Sequence, residues 1–169
     1  MRNTAPDAAS IQLTTEQAAF LQGPVSINVA ASGRDGWPCV CRAQGCVVAR
    51  DRRTVTVLLS ARRGRDVLDA LDAGSGIAAV FSRPAAHATL QLKAGRATRA
   101  GSSSMLRACN ARYADALAGE LVELGYGAGL GEGIVRLMSA SDLVALRFAP
   151  DIVFDQTPGP AAGRVLSAA

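Results

Sequence analysis

Apolar and polar positions along this chain alternate, or recur at helical spacing, in short blocks separated by turn residues. Thr14-Thr15-Glu16-Gln17-Ala18-Ala19-Phe20-Leu21 carries the first helical signal, with Thr14 as N-cap and Gln17 three residues later closing a capping box. Gly23-Pro24 stops that helix, and Val25 to Ala30 then alternates apolar with small polar residues, as a half-buried strand does. Gly33-Arg34-Asp35-Gly36 reads as a hairpin turn into a second strand that runs from Pro38 to Gln44. Gly45 sets off Cys46-Val47-Val48-Ala49, Arg50 to Arg53 turns the chain again, and the β-branched run Thr54 to Leu59 predicts an interior strand.

Ser60 opens a predicted helix of about twelve residues, with Val67, Leu68 and Leu71 inward and Gly74 as its stop. Ile77 to Phe81 is the next strand, and Ser82-Arg83-Pro84 bends away from it. From His87 to Ala94 the alternation is complete. Ala88, Leu90, Leu92 and Ala94 share one face, while His87, Thr89, Gln91 and Lys93 share the other, which either lines a ligand or meets solvent. Leu106, Cys109, Tyr113, Leu117, Leu121 and Leu124 form the apolar stripe of a long helix from Ser103 to Leu124. Gly125 to Gly133 reads as a flexible connection, followed by strands at Ile134 to Met138 and Leu143 to Phe148. Six or seven strands and three helices without a βαβ rhythm predict a mostly β, α+β chain: an antiparallel barrel with helices packed outside. The expected domain spans residues 1–150. Residues 151–169 form a turn-rich tail, packed on that domain or partly flexible.

Composition narrows the class. A chain of 169 residues, 49% hydrophobic and 19% charged, buries a core of its own and is not a disordered chain. Met1 to Ser10 is polar and shows no signal peptide, and no stretch approaches the roughly 18 apolar residues of a membrane helix. A cytoplasmic location away from membranes is therefore expected, with the four cysteines as reduced thiols.

Charge changes the picture more. The net +4 comes almost wholly from arginine, since Lys93 is the only lysine, and Arg50, Arg52, Arg53, Arg62, Arg63 and Arg65 are clustered. Such a cluster suits nucleic acid, an anionic ligand or a solvated surface. With one Trp and two Tyr in the whole chain, and no aromatic residue within the cluster, stacking platforms for nucleic acid are not evident. Ser60 at a strand-to-helix junction favours an anion, because the first backbone N–H groups of a helix are unpaired and its dipole is positive there. Arginines in a first helical turn oppose that dipole unless an anion lies between them, and their guanidinium groups suit phosphate. A surface helix with solvated arginines is the plainer alternative.

The other chemistry-bearing residues are fewer. Cys39, Cys41 and Cys46, with His87, offer four soft ligands, but no Cys-x-x-Cys knuckle is present and buried cysteine is common. No metal is expected. His87, the only histidine, is either a proton donor or cofactor ligand at a strand end or an ordinary polar residue. No nucleophile elbow, phosphate loop or carboxylate pair occurs, and Gly127 to Gly131 lacks the context of a dinucleotide fingerprint. No catalytic residue stands out.

The order of these segments resembles a known family. Phe20 to Ala30, Pro38 with Arg42-Ala43-Gln44-Gly45, the Val55 to Arg65 strand and turn, Ile77 to Phe81 with Pro84, and His87 to Lys93 together look like the pyridoxamine 5′-phosphate oxidase-related FMN-binding split barrels. The resemblance covers residues 12–100, and Phe154 to Gly159 is similar to the C-terminal end of one subgroup. It implies an antiparallel split β-barrel of the FMN-binding type, with FMN between the subunits of a homodimer and a small-molecule substrate. By the same resemblance Arg42 reaches the flavin side of the site. Ser60, Arg62 and Arg63 hold the phosphate, and Gln91 meets the ring edge with Lys93 nearby. His87 would be a ligand in relatives that bind haem, the alternative cofactor. The implied activity is flavin-dependent oxidoreduction, or else non-catalytic flavin or haem binding in storage, sensing or stress response. The substrate-phosphate residues that pyridoxamine oxidases carry near the C-terminus are not placed here, so the resemblance carries no expectation of vitamin B6 oxidation.

Overall fold

Ten strands in two antiparallel sheets, with four helices, make up residues 11–101 and 103–169, which the computed structural model describes. The stretch Met1 to Ser10, read above for an export signal, lies outside the described residues. Helix α1 spans Thr15–Leu21 and is closed at its start by the predicted capping box: Thr14 Oγ accepts from the Gln17 N–H at 3.1 Å, and Gln17 Oε1 accepts from the Thr14 N–H at 2.9 Å. Strands β1 (Ser26–Ser32), β2 (Pro38–Arg42), β3 (Cys46–Val48) and β4 (Val55–Ser60) follow, then α2 (Arg65–Asp72), β5 (Ile77–Ser82), β6 (Thr89–Ala94) and β7 (Thr98–Ala100). Helices α3 (Ser104–Glu123) and α4 (Ala128–Met138) form a pair, and β8 (Leu143–Phe148), β9 (Ile152–Asp155) and β10 (Arg164–Ala168) complete the chain.

The six-stranded sheet runs β10-β9-β6-β5-β1-β2 and the four-stranded sheet β3-β4-β8-β7. Among the described residues these ladders leave four edges, β10 and β2 in one sheet and β3 and β7 in the other. Residues 152–155 and 164–168, from the segment beyond 150, supply two strands of the larger sheet. Alternate residues of both sheets meet in one core. Ile27, Val29, Ala79, Phe81, Leu92 and Val153 come from the larger sheet and Val55, Val57, Leu59 and Leu146 from the smaller, all fully buried. Each large side chain removed from water there contributes about 1.5–3 kcal/mol. Val67, Leu68 and Leu71 of α2 and Tyr113 and Leu117 of α3 seal the core.

Four expectations are corrected. The helix expected to open at Ser60 begins at Arg65, with Gly64 as its N-cap. Ser60 remains the last residue of β4, paired with Leu143, and its carbonyl accepts the Gly64 N–H in a separate turn. Arg62 and Arg63 therefore precede the helix, and Asp66 puts an acidic residue in its first turn. The glycine run expected as a loop, and the strand expected at Ile134 to Met138, are instead helix α4. Glycine disfavours helix by about 1 kcal/mol per residue, but here packing overrides it. A Cβ on Gly131 would meet Val122 Cγ2 at 3.4 Å and Ala118 Cβ at 3.6 Å, so its absence lets α4 cross α3 closely. Finally, β6 starts at Thr89 and not at His87, whose φ of 54° belongs to the preceding turn.

Candidate functional site

Strand alternation that buries one face of the six-stranded sheet presents the other outward. The ladder registers line up Arg42, Asn28, Val80, Gln91, Phe154 and Val165 in one row across all six strands. The neighbouring row is Val40, Ala30, Ala78, Lys93, Ile152 and Ala168. Val40 is 63% exposed and Val165 47%, while Val80, Ile152 and Phe154 are only half-buried, so this is an apolar sheet face without full cover. Polar groups interrupt it at Arg42, Asn28, Gln91 and Lys93. Arg42 and Gln91 stand three strand spacings apart, about 14 Å.

The two polar groups of β6 are held in place. Gln156 Nε2 donates to Gln91 Oε1 at 3.2 Å, and the Lys93 ammonium lies over the Phe154 ring, 5.1 Å from its centroid. Gln156 itself is tied down by its N–H, which donates to the Thr89 carbonyl at 2.8 Å. At the other end of the row, Arg42 lies near Tyr113 of α3. The Tyr113 hydroxyl donates to the Val25 carbonyl at 2.8 Å, and burial pushes its pKa up to about 12 while the Arg42 guanidinium opposes that rise.

The arginine turn, residues 61–64, abuts β2 from the core side: a Cβ on Gly64 would lie 3.3 Å from Cys41 Sγ. A carboxylate of the chain itself stands beside it. Asp142, in the α4–β8 connection, places Oδ2 to accept the Ser60 hydroxyl at 2.9 Å and the Arg62 N–H at 2.8 Å. These bonds, with the Arg62 N–H foremost, hold the Asp142 carboxyl below the usual carboxylate range. The Arg63 N–H donates to Ser60 Oγ at 3.2 Å, and the Arg63 guanidinium donates to the Leu137 carbonyl at the end of α4. Ser60, Arg62 and Arg63 thus stand together, but around a carboxylate of the protein itself.

His87 lies in the exposed β5–β6 turn, where its N–H donates to the Arg83 carbonyl at 2.9 Å. That turn is fixed to α3 by Glu120, which is 5% exposed. Its two carboxylate oxygens accept from Arg83 Nε at 3.0 Å and Nη2 at 3.1 Å, and Oε1 also accepts the Ala85 N–H at 3.2 Å. Cys39 and Cys41 share the core face of β2. Cys39 Sγ donates to the Ala31 carbonyl at 3.3 Å, and burial pushes the Cys41 thiol up to about 11 and the Cys46 thiol higher still. Among the described residues no three His, Cys, Asp or Glu side chains gather in a way that can hold a metal ion.

Sequence reasoning missed Asp142, which reaches Ser60 across 82 residues of chain and carries no local signal. It also missed the pairing of Gln156 with Gln91, although the segment around Gln156 was singled out by the resemblance.

No family model matches the chain, and no curated protein does. Solved structures do. A candidate pyridoxamine 5′-phosphate oxidase from Lactobacillus delbrueckii superposes with a TM-score of 0.52 at 15% identity, over 85% of this chain and 93% of that one. The HupZ protein of Group A Streptococcus gives a TM-score of 0.55 at 12% identity, over 89% of this chain and 100% of that one. At such identities the likeness speaks for backbone arrangement alone, and this chain has a pyridoxamine 5′-phosphate oxidase-like fold.

Proposed function

We propose that this protein is an FMN-binding split-barrel oxidoreductase whose flavin lies on the outer face of the six-stranded sheet, between two copies of the chain. One observation carries the reading: the register sets Arg42 and Gln91 on a single row of an uncovered, largely apolar sheet face. Two donors about 14 Å apart across apolar residues suit a flat ring system bearing a polar chain, and not a single small anion. The half-buried apolar side chains around them are a surface that water disfavours, which a second copy would cover.

The residues on this face fit the group. Gln91 offers its amide at the ring edge with its orientation set by Gln156, Lys93 is steadied over Phe154, and Arg42 supplies a fixed positive charge. Arg62 and Arg63 are the candidates for the phosphate, next to β2 but with their turn closed around Asp142. When bound, the flavin supplies hydride or electron transfer to a small molecule. The protein's part is to hold the ring, exclude water from it and bias its charge. The reading includes a cytoplasmic location.

The test is simple. Purified protein is expected to be yellow, to release FMN on denaturation and to run as a dimer in light scattering. Arg42→Ala should weaken FMN retention about tenfold or more, because a charge-assisted hydrogen bond contributes about 1.5–3 kcal/mol, and Gln91→Ala by less, because a neutral one contributes about 0.5–1.5 kcal/mol. Colourless protein that takes up no added FMN overturns the reading, and a Soret band in its place assigns the site to haem.

A further inference from the structure

The four consecutive backbone N–H groups of the arginine turn are all satisfied from within the chain. The Ala61 N–H donates to the Asp142 carbonyl at 2.8 Å and the Arg62 N–H to the Asp142 carboxylate. The Arg63 N–H donates to Ser60 Oγ, and the Gly64 N–H to the Ser60 carbonyl at 2.9 Å. The Ser60 hydroxyl, 3% exposed, spends its one proton on Asp142 Oδ2. A phosphate oxygen approaching this turn meets no free backbone donor while Asp142 is seated. What remains on offer is the exposed side chains of Arg62 and Arg63, the latter with one of its five N–H groups already on the Leu137 carbonyl.

We infer that Asp142 decides which anions bind this turn: a phosphate gains the Arg62 N–H and the Ser60 hydroxyl only by displacing the Asp142 carboxylate. The inference rests on the reading of the turn as the phosphate side of the ligand site. Two features make displacement physically reasonable. Asp142 is only part-buried, at the end of a connection and not inside an element, so its side chain has somewhere to go. A phosphate also brings more charge and three strong acceptor oxygens where the carboxylate uses one on these donors. Small monoanions, with neither advantage, are excluded. Because Arg63 and Arg62 tie the two ends of this connection to the turn, at Leu137 and at Asp142, lifting the Asp142 carboxylate also loosens the segment from Leu137 to Asp142.

The test uses inorganic phosphate as probe, with the Arg62, Arg63 and Gly64 amide signals followed by nuclear magnetic resonance at fixed pH. Asp142→Ala is expected to bind phosphate at this turn at least tenfold more tightly than the unaltered chain. Asp142→Asn, which keeps a neutral acceptor oxygen and with it the turn, should fall between them. In the unaltered chain, saturating phosphate should speed hydrogen exchange in residues 137–142. Equal affinity in the unaltered and Asp142→Asn proteins overturns the inference, and so does phosphate bound at the turn with exchange in 137–142 unchanged. A tighter site cannot be the result of mere unfolding. Because the probe carries no flavin, failure of the FMN proposal leaves this outcome readable, and the converse holds for FMN retention in Arg42→Ala.

Discussion

Asn110 is the sharpest place to probe how α3 holds the site together. It is 6% exposed, and its Nδ2 donates both to the Gln44 carbonyl at 2.7 Å and to the Met138 carbonyl at 3.0 Å. One side chain therefore satisfies the link between β2 and β3 and the end of α4, just before the connection that carries Asp142. Asn110→Leu keeps the branched outline with somewhat bulkier ends and removes both donors. Each orphaned buried carbonyl costs about 1–3 kcal/mol, and the added apolar surface returns part of it, leaving a net loss of about 3 kcal/mol. For a chain of this size that is a fall of about 6–12 °C in the unfolding midpoint, with an unchanged denaturant slope. Asn110→Asp sharpens the test. An ionised carboxylate there faces two carbonyl oxygens, so folding would raise its pKa above the unfolded value. Its stability would be greatest below the unfolded pKa and would fall as pH rises through the folded one. Denaturant titrations of both variants at pH 4 and pH 7 check this. If Asn110→Leu lies within about 0.5 kcal/mol of the unaltered protein, the two carbonyls are hydrated and the reasoning fails.

The acid side of the stability profile should follow Glu120 and Asp142. Both carboxyls are held below their ordinary values of 4.5 and 3.8, chiefly by Arg83 for Glu120 and by the Arg62 N–H for Asp142. Their stabilisation is present above the unfolded values and is lost as pH falls through the folded ones. Acid titration of Glu120→Gln should show a shallower decline below pH 4.5, and an unchanged slope counts against the pairing. On α4, Gly129→Ala adds a methyl to open space and should stabilise by about 1 kcal/mol, whereas Gly131→Leu must force α4 from α3 and destabilise, as thermal melts will show. Among the thiols, half-buried Cys39 should alkylate with iodoacetamide at neutral pH before Cys41 and Cys46, whose burial disfavours the thiolate; mass spectrometry of the peptides reads the order.

Much of this architecture is legible in local pattern. Thr14 and Gln17 form their capping box, β1, β4, β5 and β8 lie where alternation and β-branching put them, and α3 begins and ends within a residue of Ser103 and Leu124. The reason is physical: caps, period and branching act over a few residues and need no distant partner. The pairing of Gln91 and Lys93 on one face was legible for the same reason, since alternation alone assigns them there. Helix α4 was not legible, because its glycines argue for a loop until Ala118 and Val122 are brought against Gly131.

By itself, then, the sequence determined the strand and helix blocks, the arginine-rich turn after β4 and the side of β6 on which Gln91 lies. Only the tertiary structure decided that Arg42 and Gln91 share one row, because that depends on four strands being paired in register. Only it could show that the Asp142 carboxylate sits on Ser60 and the Arg62 N–H, with Ser60 and Asp142 82 residues apart in the chain. Periodicity records which way a side chain points; what it meets is set by long-range packing that no local window contains.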